Sequence, residues 1–338
     1  IGTTFFGLDV SGLGVGLKAI RRRISRSILL IEFGSRMLQI AEARQRSHGL
    51  EIRHLSRIAL PEGALERSVP VEPEVMAQLL RDLCEEKSII SHRASIVLLP
   101  ELAFQRLVQL PDGLSVKEAR NYLLDPRNGL SLPFPLGQTD FDLVPMNIFN
   151  SIATKSGFST FQLSAIPSSL VEPVISMLNG ADFDLQTLEF GSFSTLRCIE
   201  DVLLCLGPSS ICLLLDFLPD ATLVNFVCSE GLIESERLSS VREFPRYEIS
   251  DLQREQILQR SHSLEAVTVA NERYLPLSEM DVRAFVHDLQ GVLNNFLHRY
   301  PASTLDQILV MGEGSSHPDL PGLLQLNLNC SVNLVSPL

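Results

Sequence analysis

The chain has no apolar run long enough to cross a bilayer, which argues against a membrane-spanning helix. Its six cysteines, Cys84, Cys198, Cys205, Cys212, Cys228 and Cys330, contain no CxxC pair. Most stand inside apolar runs, so buried reduced thiols are expected rather than a disulfide or zinc framework. The seven histidines form no HxxxH or HExxH, which leaves no metal cluster built on them. Positive charge is also scarce. Lys and Arg number 28 against 40 Asp and Glu, a net charge of −12 that disfavours a nucleic-acid partner. The start is apolar and Gly-rich without a small-residue cleavage site, so no signal peptide is expected. What the chain does have is size and apolar content. Its 338 residues suffice for two domains, and 45% hydrophobic residues exclude general disorder.

The most informative stretch is Ile28–Gln45. An apolar run ends in Glu32, turns through Phe33-Gly34-Ser35, and returns with Leu38 and Ile40 on one face and Gln39 and Ala41 on the other. This predicts a buried strand and its hairpin partner. Glu42 falls on the apolar face, which predicts that the alternation stops there. Gly49 then opens a third strand, Leu50–Leu55. The arrangement recurs: Leu213–Phe217 turns through Leu218-Pro219-Asp220 into Ala221–Val227, and Gly231 opens a third strand. Glu32 thus has a counterpart in Asp216, and the repeat predicts a duplicated β-β-β unit, one per domain. Two carboxylates at hairpin turns, facing across a cleft, are what a Mg-nucleotide site between two halves needs.

Residues 1–27 form a Gly-rich and basic extension. Gly12-x-Gly14-x-Gly16 fits a phosphate loop poorly, because the strand before it is short and no GKS or GKT ending follows. Lys18, Arg21, Arg22, Arg23 and Arg26 suit either an anionic lipid surface or a solvated connector. Further on, Pro73 starts a helix whose apolar face is Val75, Met76, Leu79, Leu80 and Leu83. Ser95–Pro100 reads as a further strand. Residues 94–150 read as a small α+β insert, with Phe104–Leu110 as a strand and Ser115-x-x-Glu118 as a capping box. Phe161–Ile166 is expected to return to the main sheet. A helix from about Ser168 to Leu178, a strand at Leu185–Phe190 and a helix at Phe193–Leu206 follow. Gly207-Pro208-Ser209-Ser210 reads as a hinge. The domains are therefore placed at 28–207 and 208–338. In the second, Asp251–Gln259 reads as a helix. Ser278 caps a longer one with Val282, Phe285, Val286, Leu289, Val292, Leu293, Phe296 and Leu297 on its apolar face. Ile308–Met311 is a buried strand running into Gly312-Glu313-Gly314-Ser315, Leu320 starts a short helix, and Ser331–Val335 is a final strand.

An acidic hairpin, a second acidic hairpin and a strand ending in a glycine loop have the order of the actin-like ATPase fold. Three further segments narrow the resemblance: Ala59-Leu60-Pro61-Glu62-Gly63; Arg106-Leu107-Val108-Gln109-Leu110-Pro111; and Asn128–Pro135 followed by Asp140-Phe141-Asp142. Over residues 28–338 the chain resembles the PilM family of type IV pilus assembly, relatives of the division protein FtsA, and its cyanobacterial members in particular. The resemblance implies an α/β fold of two RNase H-like domains, with the insert subdomain in the first. It implies a cytoplasmic scaffold at the inner membrane. Its groove, bordered here by Leu99, Phe104, Leu107 and Leu110, would hold the tail of a PilN-like membrane protein, with PilO and other platform proteins reached indirectly.

The same resemblance assigns nucleotide contacts to Gly34, Ser35, Asp216, Thr222, Gly312, Gly314 and Ser315, and metal contacts to Glu32 and Asp216. Here the chain departs from the family pattern. Its first loop, Glu32–Gln39, has Met37 and Gln39 where the family has a hydroxyl and a lysine. Its second, Asp216–Thr222, has Leu218 and Pro219 where close backbone approach needs glycine and N–H donors. Asp220 adds negative charge beside the phosphates. Two readings of Glu32 and Asp216 stay open: solvated turn acids, or ligands for ATP and Mg. Hydrolysis is not expected, because no water-positioning group can be named. Two other functions remain as alternatives. One is an actin-fold ATPase or sugar-kinase-like phosphotransferase, against which Leu218-Pro219 argues. The other is an FtsA-like division protein, which would carry a C-terminal amphipathic helix that this sequence does not show.

Overall fold

A computed structural model describes residues 4–5, 8–9, 26–34, 37–47, 49–128, 134–146, 157–218, 221–241 and 277–335. Two-residue strands β1 (Thr4–Phe5) and β2 (Leu8–Asp9) pair antiparallel. The apolar run at Ile28 becomes β3 (Ser27–Phe33), followed by β4 (Met37–Arg46) and β5 (Gly49–Ala59), an antiparallel meander. Short strands β6 (Leu65–Glu66) and β7 (Val69–Pro70) pair with each other. Helix α1 (Pro73–Glu86) starts on its proline and buries Met76, Ala77, Leu80, Leu83 and Cys84. Val75, expected on that face, is exposed, one position outside the apolar stripe.

β8 (Arg93–Leu98) lies parallel to β3. After it come β9 (Phe104–Pro111), α2 (Val116–Leu124), β10 (Thr139–Met146), β11 (Phe158–Pro167), α3 (Ser168–Gly180) and β12 (Asp184–Phe190). β12 is parallel to β8, and the first sheet has the order β12-β8-β3-β4-β5. β9, β10 and β11 form a separate three-stranded sheet, ordered β10-β11-β9. The expected insert boundaries shift accordingly. Residue 94 lies inside β8, which the parallel register with β3 holds in the first sheet. Phe161–Ile166 joins the three-stranded sheet rather than the main one.

The helix expected at Phe193–Leu206 is two: α4 (Gly191–Cys198) and α5 (Glu200–Leu204), broken at buried Ile199. Then come β13 (Ser210–Phe217), β14 (Ala221–Cys228), β15 (Gly231–Ser239), α6 (Glu279–Arg299), β16 (Thr304–Met311), α7 (Leu320–Leu328) and β17 (Val332–Leu334). The second sheet runs β15-β14-β13-β16-β17, with β13–β16 and β16–β17 parallel. Taken from its other edge it repeats the plan of the first: two parallel strands beside an antiparallel meander. Asp251–Gln259 lies outside the described residues.

Contacts divide the chain into two compact units. One holds Ile1–Phe104, Leu123–Asp142 and Ser164–Thr195; the other holds Gln105–Tyr122, Leu143–Leu163 and Leu196–Leu338. In the first, α1 and α3 pack on one face of the sheet, over Leu29, Ile31, Phe33, Leu38, Ile40, Ile96 and Leu98. The helices approach closely: a Cβ on Gly180 would lie 3.0 Å from Ala77. Arg81 donates to the Gly180 carbonyl and ties the two together. The alternation of buried and half-buried residues in β4 does end at Glu42, since Ala43 is buried too and the register with β5 shifts there, but the strand does not. β4 continues to Arg46, with the Glu42 side chain 1% exposed, accepting from Ile90 N–H at 3.1 Å and lying 3.8 Å from His54 Nε2. A buried carboxylate with a backbone donor is tolerable where a bare one is not.

In the second unit both faces of the sheet are covered. Ile211, Leu213, Leu215 and Phe217 pack with α6 and α7, whose apolar stripes run from Val282 to Phe296 and through Leu320 and Leu324. Cys212, Leu214 and Val227 pack with Ile199, Leu203 and Leu206 on the opposite face. Ser278 caps α6 as expected, accepting from Asp281 N–H at 3.3 Å. All six cysteines are free; Cys84, Cys212 and Cys228 are buried, whereas Cys198 and Cys205 on the α4–α5 segment are exposed. Burial pushes the Cys212 thiol up to about 12. No helix among the described residues is long and apolar enough to cross a membrane.

The centre of this core is Phe296, fully buried and stacked on Phe226 with ring centroids 4.0 Å apart. Phe296→Ala should lower stability by about 3–5 kcal/mol in urea unfolding. Leu326→Ala, at a position 81% exposed, should stay within about 0.5 kcal/mol.

Candidate functional site

The first hairpin turn closes on itself. Gly34 N–H donates to the Met37 carbonyl at 2.8 Å, and the Gly34 carbonyl accepts from Ser68 Oγ at 3.1 Å. The donor that sequence reasoning offered to a phosphate is therefore engaged. Ser35 lies outside the described residues. Glu32 is on the exposed face of the sheet, directly opposite Gln39, which in turn stands opposite Arg57. Gln39 Nε2 donates to Glu32 Oε2 at 3.3 Å, while its Oε1 accepts from Arg57 Nε and Nη2 at 3.3 and 3.2 Å. One amide thus bridges an acid and a guanidinium across three strands. Partial desolvation raises the Glu32 carboxyl above its ordinary value, and the charge of Arg57 opposes this. Sequence reasoning missed Arg57, because its place beside Gln39 is set by the β4–β5 register.

The second hairpin is closed too. Leu218 N–H donates to the Ala221 carbonyl at 2.9 Å; Pro219 and Asp220 lie outside the described residues. Asp216, half-buried, ends β13 with Leu223 and Met311 as its cross-strand neighbours. Thr222, expected to reach nucleotide, is 0% exposed, and its Oγ1 has no hydrogen-bond partner. It faces inward because β14 is buried along its whole length.

The third loop packs against the second hairpin. Gly312 adopts φ +89°, and a Cβ there would lie 2.5 Å from Asp216 Oδ1 and 2.6 Å from the Phe217 carbonyl. A Cβ on Gly314 would meet Phe217 Cβ at 3.1 Å. Both glycines are therefore accounted for by packing. Ser315 is buried. Its N–H and Oγ both donate to the Gly312 carbonyl, at 3.2 and 2.7 Å, closing a 3₁₀ turn. His317 follows, buried, with Nδ1 accepting from Asp319 N–H at 3.2 Å just ahead of α7. A histidine two residues past a glycine loop gave no sequence signal of that role. Among the described residues no group of three or more His, Cys, Asp or Glu could hold a metal ion.

The expected groove residues do not share one face. Phe104 and Leu110 fall on one side of β9 and Leu107 on the other, because strand side chains alternate. Leu107 packs into the core with α6, and Leu110 is 1% exposed. Leu110 is closed to a partner, while Leu107 is half-buried and faces the side of β9 away from Phe104. Leu99 and Phe104 are half-buried, and Phe104 meets Phe134 edge-on at 6.0 Å between ring centroids.

Two matching sheets, each a meander extended by parallel strands, define an actin-like α/β fold. The chain is similar to one in the solved PilM-PilN type IV pilus biogenesis complex: 20% identity, 92% of this chain and 88% of that one covered, TM-score 0.66. A Bacteroides thetaiotaomicron protein with an actin-like ATPase fold and unknown function matches at 10% identity, 94% and 93% coverage and TM-score 0.48. No protein-family model matches the sequence, and no curated protein matches it. The fold is thus the one that the motifs implied, PilM-like among actin-like folds.

Two outcomes follow for the loops. Gly312→Ala should cost about 2 kcal/mol or more, combining a left-handed backbone with a clash. Gly137→Ala, where nothing lies within 4 Å of the added Cβ, should stay within about 0.5 kcal/mol. Urea midpoints of the two variants give the comparison.

Glu32 supplies the second. A carboxyl whose folded pKa is raised binds its proton more tightly when folded. Its contribution to stability is complete below the ordinary Glu value and is lost as pH rises through the raised one. Glu32→Gln should therefore raise the urea midpoint at pH 7 relative to the parent chain, and the difference should vanish below about pH 4.

Proposed function

We propose that the chain is a scaffold of a type IV pilus assembly platform, held at the cytoplasmic face of the inner membrane by the tail of a PilN-like protein. PilO and other platform components would be reached through that partner. The observation that carries this reading is the pairing of a PilM-like fold with loops whose hydrogen-bond donors are already engaged. Gly34 N–H, Leu218 N–H, Ser315 N–H and Ser315 Oγ all bond within their own loops, and Thr222 is buried. An incoming triphosphate needs such donors. The described residues therefore do not fit Mg-ATP, and the nucleotide site is degenerate. That places the ATPase and sugar-kinase readings second. Glu32 and Asp216 then act as turn acids.

For the partner tail the reading keeps Leu99 and Phe104 and gives up Leu107 and Leu110. An extended, partly apolar segment would use a half-buried aromatic as its anchor. The division at residue 207 stays part of the proposal, with each five-stranded sheet as the frame of one domain.

The experiment is calorimetry on the full chain with two ligands. One is a synthetic peptide of the cytoplasmic tail of a PilN-like membrane protein; the other is Mg-ATP. Saturable peptide binding, weakened at least about tenfold by Phe104→Asp, is expected. Unchanged binding in a Phe104→Asp variant with native circular dichroism would remove the groove from the proposal. Mg-ATP binding in the submicromolar range, more than about 8 kcal/mol, would show the nucleotide site to be intact.

A further inference from the structure

β5 is the outer strand of the first sheet, eleven residues long, and no strand among the described residues pairs with its far side. An open edge offers unpaired N–H and C=O groups, and proteins ordinarily keep such edges short or charged. Here Leu50, Ile52 and Leu55 stand 59, 43 and 74% exposed. Simple alternation would put Leu55 opposite in face to the other two. The register prevents it. Ala43 pairs with Ile52 and Glu42 with His54, so Arg53 is an extra residue, a bulge. Beyond it the phase shifts by one. Leu50, Ile52 and Leu55 then line up with Gln45, Ala43 and Ala41, on the face away from α1 and α3.

The other face of this edge is cationic. Arg44 and Arg46 of β4 alternate to that side, with Arg53 at the bulge. Glu51 engages Arg46 at 2.6 Å and lies 3.8 Å from Arg53. That face of β4 and β5 carries three arginines, Arg44, Arg46 and Arg53, against two acids, Glu51 and the buried Glu42, while Arg57 stands on the apolar face opposite Gln39. One face of the edge is therefore apolar and the other basic.

We propose that β5 accepts an extended segment of a partner protein, alternating apolar and acidic residues, as a sixth strand of the first sheet. The ladder would supply main-chain bonds. Apolar side chains would cover Leu50, Ile52 and Leu55, and acids on the opposite face would meet Arg53 and the arginines of β4. This surface does not depend on the tail groove at Phe104.

The test uses the full chain and a short fluorescein-labelled peptide alternating valine and glutamate, followed by anisotropy. Saturable binding is expected, weakened at least about tenfold by Leu55→Asp, by Arg53→Glu, or by exchanging glutamate for lysine in the peptide. Two N-methylated peptides leave the protein unaltered, so misfolding cannot mimic the result. One is blocked at the valine nitrogens and the other at the glutamate nitrogens; only the set that faces β5 should lose affinity. The proposal falls if the parent peptide does not bind, or if both methylated peptides bind as it does. It also falls if sedimentation shows a dimer that Leu55→Asp dissociates, which would make a second copy the occupant.

Discussion

The second unit depends on the burial of β13 on both faces. Ile211 through Leu215 are five consecutive residues with no exposed surface. A strand in that position needs cover above and below, and each large side chain so buried contributes about 1.5–3 kcal/mol. One cover is α6 with α7; the other is the α4–α5 segment that leads into β13. Its parallel neighbour β16 completes the backbone pairing. Once these elements are in place, the ends of β13 and β16 are fixed side by side. Asp216 and Gly312 then meet there as a consequence of register.

That meeting gives position 312 a need for glycine of its own. Gly312 sits where a Cβ would overlap Asp216 and Phe217. The need for glycine there is steric and local, and exists with or without a ligand. Gly34 differs. Its φ is not left-handed, and the nearest atom to an added Cβ would be 3.4 Å away. Leu218 makes the same kind of hairpin bond as Gly34 despite its side chain. Packing by itself therefore accounts for glycine in this loop.

The two sheets share a plan but differ in cover. The second has a core cluster on each face. In the first, the described core lies on one face, with α1 and α3. The opposite face carries the Glu32–Gln39–Arg57 row and, at its edge, exposed leucine and isoleucine. Polar groups on a sheet surface bridge one another sideways when no helix covers them, and each cross-strand pair adds only a fraction of a kcal/mol up to about 1. Such a face can vary without loss of the core, which suits it to recognition.

The sequence by itself determined the elements and their repetition. Apolar runs ending in an acid at Ile28–Glu32 and Leu213–Asp216, glycines opening third strands, the proline starting α1 and the serine capping α6 are local signals, and the actin-like order of hairpins was legible from them. So was the apolar stripe of α6. Tertiary structure decided where single side chains point. Glu42 stays in its strand because Ile90, 48 positions away, donates to it. Leu110 is core because packing covers its face of β9, Thr222 is sealed because β14 is buried along its whole length, and Leu55 shares a face with Ile52 because a bulge shifts the phase at Arg53. The physical reason is common to all four. Strand propensity and turn chemistry act over a few neighbouring residues. Burial, register and bulges are set by partners distant in sequence, which the chain brings together only on folding.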